Sequence, residues 1–85
     1  MTFVDVLEWC RKNQAEVRGI YRGKDVAISF KDKELPANLP DIGAVFHWDV
    51  EMPGLSHYAS ASDFERIVTG RMTIEDFKST LRRGE

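Results

Sequence analysis

His47, Asp49 and Glu51 are the residues whose types and spacing could do chemistry in this chain. They lie two apart, the repeat that puts side chains on one face of a β-strand, spaced about 6.6 Å along it. An imidazole beside two carboxylates suits zinc or another divalent metal, and Asp49 with Glu51 make a carboxylate pair of the kind used in general acid–base catalysis. His57, beyond Pro53-Gly54, stands where a loop could bring a fourth ligand. The same row is also what a half-exposed strand needs on its wet side, because the intervening Phe46, Trp48, Val50 and Met52 form an unbroken apolar face. Catalysis would further require a cleft that shifts pKa values and excludes water. The chain has no Gly-rich phosphate loop, no Gly-x-Ser-x-Gly, no Cys/His dyad at a recognisable spacing and no Walker motif. No catalytic residue, metal ligand or cofactor is therefore assigned. The row is expected to act with His57 and Tyr58 as a docking surface for another protein or for a second copy of the chain. The alternative is a metal- or small-ligand-binding domain centred on His47, Asp49 and Glu51.

The chain that must position these residues is 85 long, enough for one domain spanning residues 1–85 and too short for two cores. At this size only about 60–65% of the unfolded surface is buried, so each large apolar side chain carries weight. With 42% hydrophobic and 31% charged residues the chain lies outside the regime of disorder. A lone cysteine, Cys10, excludes an internal disulfide and a Cys-based zinc site, and a reducing cytoplasm is the expected location. Asp5 and Glu8 interrupt the first apolar residues, so no signal peptide is expected, and no stretch approaches the roughly 20 apolar residues of a membrane span.

The net charge of −2 conceals a segregation: residues 34–65 contain Glu34, Asp41, Asp49, Glu51, Asp63 and Glu65 and no Lys or Arg. An acidic central surface is the expectation, and it holds the candidate row.

The periodicities place the elements. Thr2 with Asp5 three residues on signals a helix start, and Phe3, Val6, Leu7, Cys10, Gln14 and Val17 share one face of a helix of about 15 residues stopped by Gly19. Ile20–Arg22 and Asp25–Phe30 then form a hairpin about Gly23-Lys24 in a type II′ turn, with Arg22 opposite Asp25 and Tyr21 opposite Val26. Tyr21, Val26, Ile28 and Phe30 take its core face; Ile20, Ala27 and Ser29 take the other. Lys31 to Gly43 reads as a loop broken by Pro36, Asn38 and Pro40 and pinned by Leu35, Leu39 and Ile42. The alternating strand follows, paired with the second hairpin strand and ended by Pro53-Gly54, and Leu55 to Ser60 is a second loop. Ser62-Asp63-Phe64-Glu65 is a capping box opening a short helix, and Thr73-Ile74-Glu75-Asp76 opens another, with Arg82 and Arg83 matching its dipole. The expected fold is α+β, a three-stranded antiparallel sheet with an N-terminal helix and two short C-terminal helices (α-β-β-β-α-α).

Two helices joined by Gly70-Arg71-Met72 invite a helix-turn-helix reading, but the second begins with Glu75 and Asp76, which repel phosphates. The order of the first five elements resembles that of double-stranded RNA-binding domains, whose recognition depends on a Lys-rich helix start; here that start is Ser62-Asp63-Phe64-Glu65. Nucleic acid and membrane are thus set aside as partners. The residue types favour a small protein-interaction module of the inhibitor, antitoxin- or immunity-like, or accessory-subunit kind.

Overall fold

The computed structural model describes residues 1–36, 39 and 42–83, the last four of these by backbone alone. The fold is α+β with four strands rather than three, in the order α1 (Phe3–Asn13), β1 (Glu16–Tyr21), β2 (Lys24–Ser29), β3 (His47–Met52), β4 (Leu55–Ser60), α2 (Ala61–Val68) and α3 (Ile74–Arg83). All sheet pairs are antiparallel, and the strands lie side by side as β2-β1-β3-β4. β3 therefore pairs with β1, not with β2, which forms one edge.

The first helix opens as expected. The Thr2 hydroxyl accepts from the Asp5 backbone N–H (3.3 Å) and the Asp5 carboxylate accepts from the Thr2 N–H (2.8 Å), a capping box that satisfies two otherwise orphaned donors. The helix is shorter than its apolar period suggests. Gln14 adopts the left-handed conformation (φ 55°) and turns the chain into β1, so Val17 is a strand residue that happens to fall on the extrapolated helical stripe. Gly19 accordingly lies inside β1 and stops nothing.

The β1–β2 turn is centred on Arg22-Gly23, with φ of 53° and 80°, and Tyr21 pairs with Lys24. Two positive φ values define a type I′ turn, whose twist matches that of the flanking strands, in place of the type II′ turn about Gly23-Lys24. The register moves by two residues, and an even slip leaves every side chain on its expected face. Tyr21 and Ile28 are buried and Val26 is half-buried, while Ile20 and Ala27 point outward.

Pro53-Gly54 is a turn, not an end. Met52 pairs with Leu55 across it, Gly54 has φ 80°, and proline fixes the preceding φ near −65°, the combination of a type II turn. The returning strand β4 buries Leu55, His57 and Ala59 and exposes Ser56 and Tyr58. It runs directly into α2, so the cap is Ser60, whose hydroxyl accepts from the Asp63 N–H (3.2 Å), and not Ser62. Thr73 caps α3 by accepting from the Asp76 N–H (3.1 Å). Leu35 and Leu39 pack against the core and Ile42 is buried, as the loop reading requires. Asn38, Pro40 and Asp41, and the side chains of Leu81, Arg82 and Arg83, lie outside the described residues.

Packing puts every helix on one side of the sheet. Trp48 of β3, fully buried, meets Phe3 of α1 (centroids 6.2 Å) and Phe64 of α2 (4.9 Å), while Phe77 of α3 meets His57 of β4 (4.5 Å). Trp48 and His57 share the core face, because Trp48 pairs with Ala59 and Val50 with His57. Among the described residues, no helix packs on the opposite face of the sheet. No described helix is long and apolar enough to cross a membrane.

Candidate functional site

The open sheet face is assembled from rows of directly opposed residues. Arg18 of β1 stands between Ala27 of β2 and Asp49 of β3, and Asp49 in turn faces Tyr58 of β4. The neighbouring row is Ser29, Glu16, Glu51 and Ser56. At the other end of the strands lie Asp25 opposite Ile20, and His47 opposite Ser60. His47 also stacks on Tyr58, with ring centroids 5.1 Å apart and planes 7° from parallel.

Four of the five residues singled out from the sequence are thus brought together: His47, Asp49, Glu51 and Tyr58 are all exposed on this face. His57 is not among them. It is 5% exposed and lies on the core side, edge-on to Phe77, so it cannot complete a ligand set with His47, Asp49 and Glu51 or meet a partner at the surface. His57 pairs with Val50, three residues from His47 on β3, so strand alternation places the two histidines on opposite sides of the sheet. Among the described residues, no three His, Cys, Asp or Glu side chains converge to hold a metal ion.

Phe46 departs furthest from its expected place. The apolar alternation extends it onto the core face, yet β3 begins at His47, Val45 turns inward, and Phe46 is 72% exposed beside the open face. With Ile20 (60%) and Tyr58 (61%) it accounts for three of the four large apolar side chains exposed on the molecule's described surface. These three, with His47, Arg18 and Asp49, line a recess of about 570 Å³ at the His47 end. A second depression, at the Glu16–Glu51 end, is lined by Glu16, Asp32, Asp49, Glu51 and Arg18. Glu16, Arg18 and Ile20 come from a segment read partly as helix; only the β1–β3 pairing brings them beside the row. The acidic middle third does not form one surface, since Asp49 and Glu51 face the open side while Asp63 and Glu65 belong to α2.

Among the described residues two titratable groups are shifted, and both lie on the core side. Burial, reinforced by the carboxylates of Asp32 and Glu16, pushes the Cys10 thiol up to about 12, which leaves it protonated and unreactive at neutral pH. Burial pulls His57 below its ordinary 6.5, partly countered by Asp63. The unfolded chain therefore takes up a proton near 6.5 before the folded protein does, and stability falls as pH drops from about 6.5 toward the folded-state pKa. Chemical denaturation followed between pH 7.5 and 5 should show this loss in the wild type and a flatter profile in His57→Gln. Equal slopes would assign the acid sensitivity to other groups.

Known protein families, characterised proteins and solved structures offer no match to this chain.

Proposed function

We propose that this protein acts by binding another protein through the open face of its sheet, with no chemistry of its own. The observation that carries the reading is the exposure of Ile20, Phe46 and Tyr58 together on a sheet face that no described helix covers. Large apolar groups clustered on a surface and rimmed by charge mark interaction sites, and aromatic side chains are enriched there. The charged residues among them, Arg18, Asp49 and Glu51, supply orientation and partner choice. The buried, protonated Cys10 suits a reducing cytoplasm and needs no redox role. Inhibitors, antitoxin- or immunity-like proteins and accessory subunits work in this way, by covering a surface of a larger partner.

Asp49 and Glu51 are exposed on the side of β3 away from the core, so Asp49→Lys with Glu51→Lys tests the face without changing a core side chain. Partners captured from native lysate and identified by mass spectrometry would be reconstituted as purified binary complexes. The double reversal should weaken the complex at least about tenfold while leaving the circular dichroism spectrum unchanged. Undiminished affinity would place the interface elsewhere on the molecule.

A further inference from the structure

We propose that the open face takes an extended basic segment of its partner, a Lys or Arg seating at the Glu16–Glu51 end and an apolar side chain in the Ile20/Phe46/Tyr58 recess. The inference rests on the protein-binding reading and specifies the chemistry of the partner.

Glu16 and Glu51 are directly opposed on adjacent strands, a position where like charges destabilise a sheet. Their carboxylates accept from serine hydroxyls, Ser29 to Glu16 at 3.3 Å and Ser56 to Glu51 at 2.7 Å. Neither makes an ion pair among the described residues. Asp32 and Asp49 line the same depression, so four carboxylates there meet the single guanidinium of Arg18. A cation placed between Glu16 and Glu51 would relieve the repulsion, and the flanking serines already orient the acceptors.

The second anchor follows from the strand repeat. Glu16 and Ile20 are four residues apart on β1 and both point outward, a separation of about 13 Å. A segment lying extended along β1 and β3 therefore meets the two ends with side chains about four residues apart on one face. The recess at the Ile20 end also holds Arg22 and Asp25, whose opposite charges leave its selectivity to the aromatic and aliphatic walls.

Charge complementarity decides among the occupants. A second copy laid face to face would set the carboxylates either against themselves or against a recess in which Arg18 and Arg22 are already offset by Asp25 and Asp49, and neither arrangement brings the net positive charge they lack. A nucleic acid would bring phosphates to the same carboxylates.

Selection of a random-peptide display library against the whole protein, followed by titration of an enriched peptide with backbone amide shifts as the readout, tests the proposal. The enriched sequences should carry Lys or Arg about four positions from an aromatic or aliphatic residue. The shifts should fall on β1 and β3, and affinity should drop about tenfold in Glu16→Gln with Glu51→Gln and decline with added salt. The same double variant, free of peptide, should melt a few degrees higher than the wild type, because the opposed charges are gone. Uncharged apolar peptides bound on this face, or an affinity unchanged in the double variant, would overturn the basic partner and leave the protein-binding face standing. Shifts confined to the helical side, or no enrichment, would overturn both. Concentration-dependent shifts on the face without peptide would instead identify the occupant as a second copy.

Discussion

Trp48→Ala should cost about 3–5 kcal/mol of unfolding free energy, the range for truncating a fully buried large aromatic. Domains are stable by only about 5–15 kcal/mol, and a chain this small belongs at the low end, so the variant should be substantially unfolded at 37 °C. The reason lies in connectivity as well as area. Tyr21 meets Phe3 edge-on at 5.4 Å, Phe3 meets Trp48, Trp48 meets Phe64, and Phe64 meets Trp9 at 5.5 Å. This chain of rings joins β1, α1, β3 and α2, with the indole at its centre. Removing the indole takes away two aromatic pairs and leaves a cavity that rings held by three separate elements cannot collapse to fill.

Trp48→Phe provides the control. The indole Nε1 is buried with no hydrogen-bond partner among the described residues, so phenylalanine removes an unsatisfied donor along with part of the ring volume. Its cost should fall well short of that of alanine. Urea unfolding monitored by far-ultraviolet circular dichroism reads both variants without relying on the tryptophan that is changed. Equal losses in the two would overturn the cavity account, since phenylalanine keeps most of the ring packing that alanine removes.

The structure follows the sequence patterns where the interactions are local and departs from them where they are long-range. The Thr2–Asp5 cap, the Thr73 cap and the inward set Trp48 and Val50 are local, decided within a turn of helix or a few strand residues, and they stand where the periodicity puts them. β4 escaped because its central inward residue is His57: a polar side chain on the core face broke the alternation, and Pro53-Gly54 resembles an end as much as a hairpin turn. Phe46 shows the opposite failure. Its alternation with Trp48 is unbroken, yet the backbone is not strand there, so the repeat carries no information about its face. The candidate site was half visible for a similar reason. Asp49 and Glu51 belong to one segment and share a face by repeat alone. Arg18 and Glu16 reach them only through the β1–β3 pairing, a long-range register that no local signal encodes.

Gly19 is a second position where a long-range contact has a large effect. Its backbone is an ordinary extended conformation rather than one reserved for glycine; what requires glycine is space. A Cβ there would lie 2.8 Å from Val45 Cγ1, 3.2 Å from the His47 carbonyl oxygen and 3.3 Å from Trp48 Cε3. Trp48 pairs with Gly19 across β1 and β3, and its indole occupies the volume a side chain at 19 would fill. Gly19→Ala should therefore destabilise the protein by about 1–3 kcal/mol, the cost of overpacking a tight core, and Gly19→Val by more, because its added methyls meet the same walls. The measurable signature is coupling. Val45→Ala removes the nearest obstacle, so combined with Gly19→Ala it should cost less than the sum of the two single losses, by about 0.5–3 kcal/mol in a double-mutant cycle. Relief should be incomplete, since the His47 carbonyl is backbone and cannot be mutated away. Strict additivity would mean that β1 shifts as a unit instead of Val45 yielding. That shift would move Glu16 and Arg18 relative to Glu51 and Asp49, so the same cycle also reports how rigidly the core holds the open face.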